Sequence, residues 1–247
     1  MLKIIGMSKG FKDKKIFENL SLEMDNGIYG FLGPNGAGKT TLIRCICGVY
    51  QLKVGKIEWD GVSVGDKTYT ANLGYLPQNF GLFKDMKVSA ALDYMAGLKS
   101  VPKDKVKSEI DRVLKIVNLY DRKNDKVRSL SGGMVRRLGI AQALLGDSKL
   151  LIFDEPTAGL DPEERIRFKK IIASLSKDKV VLISTHICSD IEALCDKVMV
   201  IDKGKLLYNG TLAGLEEIGS ESESNESESA LERGYLCLLN KDVEDLA

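Results

Sequence analysis

Ile28-Tyr29-Gly30-Phe31-Leu32-Gly33-Pro34-Asn35-Gly36-Ala37-Gly38-Lys39-Thr40 is the stretch that decides the fold. Its first five residues are apolar on both faces and stop at a glycine, the pattern of a buried strand. Gly33 to Thr40 then satisfies G-x-x-x-x-G-K-[ST]. Composition alone produces this pattern in roughly one chain in a hundred of this length, and the preceding strand makes accident rarer still. The glycines let the backbone curl until successive N–H groups face phosphate oxygens. Thr41-Leu42-Ile43-Arg44-Cys45-Ile46 continues as a helix, whose N-terminus adds partial positive charge. Lys39 is then placed to reach β and γ phosphates, and the Thr40 hydroxyl to ligate Mg²⁺.

Downstream, Leu150-Leu151-Ile152-Phe153 reads as a second buried strand, expected next to the phosphate loop, with Asp154 and Glu155 emerging at its end. Asp154 is the candidate Mg²⁺ ligand, through water, and Glu155 the candidate for polarising a water aimed at a γ-phosphate. A DE pair alone is usually solvated surface; a buried strand before it and a phosphate loop upstream give it meaning. Asp161-Pro162 has the form of an N-cap with proline at the first helical position, and Phe168, Ile171, Ile172 and Leu175 form an apolar stripe behind it. Val180-Val181-Leu182-Ile183-Ser184 is again strand-like. Strand, helix, strand implies a parallel sheet with crossover helices. Together these stretches describe a nucleoside triphosphate hydrolase of α/β class.

The remaining segments are arranged around this core. Leu2 to Ile5 and Lys56-Ile57-Glu58-Trp59, the latter before an Asp60-Gly61 turn, read as short strands. Val88, Ala91, Leu92 and Met95 recur at helical spacing, as do Val106, Ile110, Val113, Leu114 and Val117, with Pro102 separating the two helices. Val198 to Ile201 and Lys205 to Tyr208 flank a hairpin turn at Asp202-Lys203-Gly204. Gly219 to Ser229 contains no apolar residue and is expected to be an acidic Ser/Glu connector. Beyond it, in 230–247, Leu231, Tyr235, Leu236, Leu238 and Leu239 are expected to dock a short helix back on the body.

Composition narrows the class further. The 247 residues carry 36 Lys plus Arg against 35 Asp plus Glu, a net charge of +1, so no basic field holds nucleic acid. Each long apolar run is broken well short of the ~20 residues that span a bilayer, and the N-terminus lacks a signal-peptide pattern. The five cysteines show no CxxC spacing, which argues against a disulfide framework or a zinc site and for a reducing, cytoplasmic setting. Cys45, Cys47, Cys188, Cys195 and Cys237 are read as packing residues.

Leu130-Ser131-Gly132-Gly133-Met134 lies just ahead of Asp154-Glu155, and here the sequence resembles ATP-binding cassette (ABC) proteins, whose signature is LSGGQ. Met134 departs from that signature at its last position, removing a side-chain amide. Other family markers follow in order. Gln78 in Leu73-Gly74-Tyr75-Leu76-Pro77-Gln78 resembles the glutamine that touches metal and attacking water. Ala158-Gly159-Leu160-Asp161 resembles the loop that crosses the dimer interface, and His186 in Ser184-Thr185-His186 the switch histidine. Phe11 stands where the family usually places a tyrosine that stacks on adenine, and keeps the π face without the hydroxyl.

The resemblance covers about residues 1–218 and implies a P-loop NTPase (RecA-like) parallel sheet core, an N-terminal antiparallel β-subdomain and an inserted α-helical subdomain at about 85–148. It implies ATP and Mg²⁺ as cofactors, Glu155, His186 and Gln78 as catalytic residues, and Thr40, Gln78 and Asp154 around the metal. Phe11, Gly33 to Thr41, and Ser131, Gly132, Gly133 and Asp161 are the implied nucleotide contacts, the last four reaching across a head-to-tail dimer. The partners implied are a second copy or a homologous ATPase subunit, and an integral-membrane permease that would hold the protein at the inner face of the cell membrane. No nucleic acid is expected. Gly81-Leu82-Phe83 and the Met134 to Leu145 helix resemble the subgroup that serves export-type, ABC-2-like permeases. The alternative is a soluble ABC ATPase acting on ribosomes or DNA; such proteins usually carry two cassettes or an inserted coiled coil, and this chain has neither. A regulatory module without turnover conflicts with Glu155 and His186.

Overall fold

The computed structural model describes residues 1–12, 14–175, 178–220 and 229–244. Strands β1 (Leu2–Phe11) and β2 (Lys14–Met24) pair antiparallel, and β3 (Gly27–Leu32) leaves them for a second sheet, followed by α1 (Lys39–Ile46). The chain returns for β4 (Val54–Trp59) and β5 (Val62–Ser63), completing a four-stranded antiparallel sheet ordered β2-β1-β4-β5. In β2, which no short motif marks, Phe17, Leu20, Leu22 and Met24 are the buried side chains.

Helix α2 (Lys67–Asn72) leads into β6 (Leu73–Leu76). A helical region follows: α3 (Val88–Leu98), α4 (Val106–Ile116) and α5 (Gly132–Ala143). The expected apolar positions Val88, Ala91 and Leu92 of α3 and Ile110, Val113 and Leu114 of α4 are buried together. Then come β7 (Leu150–Asp154), α6 (Pro162–Ala173), β8 (Val180–Ser184), α7 (Cys188–Glu192), the antiparallel pair β9 (Lys197–Asp202) and β10 (Lys205–Thr211), and finally α8 (Leu212–Ser220) and α9 (Ala230–Glu244). Helix α8 takes in Gly219 and Ser220, which the sequence reading assigns to the acidic connector. The connector's residues 221–228 lie outside the described residues.

The second sheet has the order β10-β9-β3-β8-β7-β6, parallel from β9 to β6. The Asp154 strand ends at the cleft of the phosphate loop but does not pair with the strand leading into that loop, because β8 lies between β3 and β7. Parallel neighbours are joined by crossovers, so sequence proximity does not dictate adjacency.

Strands β7 and β8 are buried over their whole length. Leu151, Phe153, Val181 and Ile183 face the helical side, while Leu150, Ile152, Val180 and Leu182 face α1 and the antiparallel sheet. Each such side chain contributes about 1.5–3 kcal/mol relative to exposure, which fixes both strands in register, Asp154 opposite Ser184. Phe168 of α6 meets Phe153 edge to face, with ring centroids 5.9 Å apart. Helix α5 crosses β6 at Gly74, where a Cβ would overlap the Ala143 carbonyl. This close approach brings the N-terminal half of α5 alongside the loop that follows β6.

The tail packs as a helical hairpin. Leu231 of α9 is buried and Tyr235 and Leu238 pack with it on the α7 and α8 side chains Ile191 and Leu215. Leu236, expected among the docking residues, is 39% exposed, because it lies off the face that Leu231, Tyr235 and Leu238 share. The five cysteines are free thiols.

Candidate functional site

The parallel strands β3, β6, β7 and β8 end at one edge of the sheet, where α/β folds place their ligands. From β3 the chain turns through Gly33 to Gly38 into α1, with Gly36 at φ 86° and Gly38 at φ 113°. A Cβ at Gly38 would come within 2.8 Å of Phe17 as well as straining the backbone. The Lys39 ammonium lies in the curl of the loop, donating to the Gly33 carbonyl and, at 3.2 Å, to the Pro34 carbonyl. Burial lowers its pKa, against the opposing pull of the Glu155 and Asp154 carboxylates. A cleft of about 180 Å³ above this loop is lined by Pro34, Asn35, Gly36, Gly38, Lys39, Thr40, Thr41, Gln78 and Glu155, with Ile16 at its side.

The carboxylates have distinct environments. Asp154 is 1% exposed, and its Oδ1 accepts a hydrogen bond from the Ser184 hydroxyl at 2.6 Å. Its Oδ2 is buried without a partner among the described residues. A buried carboxylate oxygen left open in this way fits a metal-bound water, since an orphaned acceptor is costly unless a donor arrives. No group of three or more His, Cys, Asp or Glu side chains is arranged for a metal among the described residues. The open Asp154 oxygen and the Thr40 hydroxyl at the cleft are oxygen donors of the kind that suits Mg²⁺, which keeps several waters and takes phosphate oxygens as ligands.

Glu155 adopts φ 48°, a left-handed conformation that costs a non-glycine residue about 1 kcal/mol or more. It is held there at its N–H, which donates to the Ser184 carbonyl at 3.1 Å and to the Ser184 hydroxyl at 3.0 Å. The consequence is that the side chain turns toward the cleft, with Oε2 3.0 Å from His186 Nδ1. His186 is 56% exposed at the side chain, so its ring is accessible from outside.

Some of the expected residues stand apart from this cleft. Ser131 is the N-cap of α5, accepting from the Met134 N–H at 3.3 Å. Gly132 lines a separate groove of about 600 Å³ together with Gln78, Arg136, Gly159 and Leu160. Asp161 caps α6, accepting from the Glu164 N–H at 2.9 Å, as Asp161-Pro162 predicts. Ser131, Gly132, Gly133 and Asp161 do not line the phosphate cleft of their own chain, nor does Phe11. The Phe11 ring is 42% exposed at the end of β1, edge-on to Tyr50 at 5.1 Å, with the Lys9 ammonium 5.3 Å from its centroid.

Ser184 and Thr157 make polar contacts that escaped the sequence reading. Ser184 bridges Asp154 and Glu155, as described, and the signal for it is a hydroxyl closing an otherwise apolar strand. The Thr157 hydroxyl donates to the buried Asp190 carboxylate at 2.6 Å, tying the segment after Glu155 to α7, which follows His186. Asp190 also receives Lys169 at 3.2 Å.

Comparison with known proteins agrees with this architecture. Residues 17–158 match the family model described as ABC transporter. The chain is 38% identical over 213 residues to YhcH of Bacillus subtilis, named as an uncharacterized ABC transporter ATP-binding protein, covering 84% of this chain and 68% of that one. It is 35% identical to the Nod factor export ATP-binding protein I of a Rhizobium species, covering 88% and 74% of the two chains. It is 32% identical to the linearmycin resistance ATP-binding protein LnrL of Bacillus subtilis, covering 97% and 78%. Against two cyanobacterial relatives it spans 56% and 58% of their length. Among solved structures, an ATP binding subunit of an ABC transporter superposes with a TM-score of 0.83 at 24% identity, over 97% of this chain and 99% of that one. The cbiO1 protein of Clostridium perfringens, part of a cbiONQ complex, gives 0.76 at 25%, over 89% and 94%. With its phosphate loop, its Asp154-Glu155 strand end and its sheet order, the chain belongs to the ABC transporter ATP-binding family, whose members are ATPases.

Proposed function

We propose that this chain hydrolyses MgATP to drive a separate membrane permease, an exporter, through ATP-dependent head-to-tail pairing with a second copy or a homologous subunit. The observation that carries the hydrolytic part is the Glu155–His186 pair, 3.0 Å apart, at a cleft shared with Lys39 and Gln78. In this reading Lys39 exchanges the Gly33 and Pro34 carbonyls for β and γ phosphate oxygens, and the α1 N-terminus faces the same charge. Glu155 Oε takes the proton of a water whose oxygen attacks the γ-phosphorus, as the bond to the β-bridging oxygen breaks. His186, oriented by Glu155, turns its other ring nitrogen to the γ-phosphate, and Gln78 orients the water. Asp154 and Thr40 would hold Mg²⁺, which neutralises charge on the phosphates when bound. Phe11 supplies an aromatic face for adenine.

Ser131, with the Gly132 and Gly133 amides at the start of α5, would close over the γ-phosphate held by the opposing subunit, and Asp161 would lie at that interface. Their position outside their own chain's cleft supports a site completed by a second copy. Among the described residues no helix is long and apolar enough to cross a membrane. In this reading the permease is a separate protein, docking on the helical region between Gln78 and Leu130 and holding the chain at the inner membrane face. Relatives named for Nod factor export and linearmycin resistance support an exporter.

The test is Glu155→Gln in the full chain. ATP binding should persist, hydrolysis should fall by about two to four orders of magnitude, and an ATP-dependent dimer should accumulate on gel filtration. Ser131→Arg added to that variant should abolish the dimer and spare ATP binding. Hydrolysis by Glu155→Gln at the parental rate would refute the assignment of the base. An inactive variant that never pairs with ATP would refute the dimer mechanism.

A further inference from the structure

Arg136 lies five residues beyond Ser131 on α5, and its side chain is half-buried. A guanidinium has five N–H donors in a fixed plane. In Arg136 they meet five backbone carbonyls: Nε that of Pro156 at 3.0 Å, Nη1 those of Pro77 at 3.2 Å and Gln78 at 2.7 Å, and Nη2 those of Asp154 at 3.2 Å and Glu155. These carbonyls belong to two separate strand ends, Pro77-Gln78 after β6 and Asp154-Glu155-Pro156 at the end of β7.

Among the described residues no side-chain carboxylate is hydrogen-bonded to the group; carbonyl dipoles face its N–H groups, and the Asp154 and Glu155 carboxylates act on its charge without touching it. Asp154, Glu155 and Pro156 are buried, so the guanidinium also supplies donors to carbonyls on a buried segment. What it does specifically is geometric. Gln78 and Glu155 approach the cleft from different strands, and one rigid plane holds the main chain of both. At Glu155 the left-handed φ is secured on its N–H side by Ser184 and on its carbonyl side by Arg136.

We infer that Arg136 is a positioning residue for hydrolysis, whose guanidinium fixes the backbone from which Gln78 and Glu155 reach the attacking water. The inference rests on the roles proposed for those two residues. Helix α5 thereby acts at two sites, because the helix that presents Ser131 to the opposing nucleotide also grips the hydrolytic loops of its own subunit. Movement of α5 is felt at Gln78 and Glu155 without passing through the nucleotide.

The experiment uses the full chain with Arg136→Met and Arg136→Lys, each alone and combined with Glu155→Gln, and reads kcat, KM for MgATP and fluorescent-nucleotide affinity. Misplacing a catalytic group by about 1 Å costs on the order of 100-fold, so Arg136→Met should lower kcat about 100-fold with KM and affinity within about threefold. Arg136→Lys, with three donors that cannot span both strand ends, should fall in between. In the Glu155→Gln background the same substitutions should cost well under the roughly 100-fold expected alone, since only Gln78 is left to position. The inference is overturned if Arg136→Met or, should that variant not fold, Arg136→Lys keeps parental kcat. It is equally overturned if nucleotide affinity falls as much as kcat, or if the loss multiplies fully with that of Glu155→Gln. Parental activity in Glu155→Gln alone would instead refute the assignment of the base, a result distinct from these.

Discussion

Replacing Ser184 by alanine isolates the support of the candidate metal carboxylate from the carboxylate itself. The Ser184 hydroxyl donates to Asp154 Oδ1 at 2.6 Å and accepts from the Glu155 N–H at 3.0 Å. Losing the second contact is cheap, because the Glu155 N–H retains the Ser184 carbonyl at 3.1 Å. Losing the first leaves both oxygens of a 1% exposed carboxylate without a protein donor, since Oδ2 has none among the described residues. A hydrogen bond to a charged group is worth about 1.5–3 kcal/mol. At about 2–4 °C per kcal/mol for a chain of this size, Ser184→Ala should lower Tm by about 3–12 °C in nucleotide-free buffer with EDTA. In the proposed site MgATP would supply the carboxylate with metal-bound water, so the Tm gap between variant and parent should narrow when MgATP is present. The assay is differential scanning fluorimetry of both proteins with EDTA, with ATP and EDTA, and with MgATP. Equal Tm values without nucleotide would refute the argument that Ser184 stabilises Asp154. A gap that stays constant or widens with MgATP would refute the metal-facing role of Oδ2.

Chelating Mg²⁺ with EDTA should abolish hydrolysis while ATP binding, in the proposed site sustained by Lys39 and the loop amides, weakens without disappearing in an equilibrium titration. Gly74→Ala places a Cβ against the Ala143 carbonyl, a backbone atom that cannot step aside; overpacking of this kind costs about 1–3 kcal/mol, visible as a lower urea midpoint. At the opposite end of β3, Lys197 and Tyr29 hold the Asp25 carboxyl down to about 2. A lowered folded-state pKa gives stability that is present above the usual 3.8 and lost as pH falls toward 2. Because this pair is largely exposed, Asp25→Asn should cost under about 1 kcal/mol at pH 6. That cost should shrink below pH 4 in urea unfolding.

The parts of the site that are local in sequence were legible without a structure. Gly33 to Thr40 encodes a loop through its glycines and a helix start through Lys39-Thr40, and Asp161-Pro162 encodes an N-cap. Leu150 to Phe153 and Val180 to Ile183 announce strands buried on both faces, because apolar residues occupy every position. These readings depend on interactions within a few residues or on plain hydrophobicity, and neither requires knowledge of neighbours in space.

Adjacency, and contacts made to the backbone, were decided only by the tertiary structure. Strand β8 lies between β3 and β7 although it follows β7 in the chain, because crossover connections let a later strand occupy an inner place in the sheet. Leu236 looked like its apolar neighbours and is exposed, since the face of α9 that meets α7 and α8 is set by the packing of Leu231, Tyr235 and Leu238. Neither the place of Phe11 at the end of β1 nor its contact with Tyr50, which arrives from the segment after α1, was legible. Ser184 and Arg136 carry no distinctive spacing. One joins Asp154 across a strand pair, and the other grips main-chain carbonyls, which every residue possesses and no side-chain pattern reveals. Residue types report the chemistry a segment can perform, whereas the partners of a backbone carbonyl exist only once the chain has brought distant segments together.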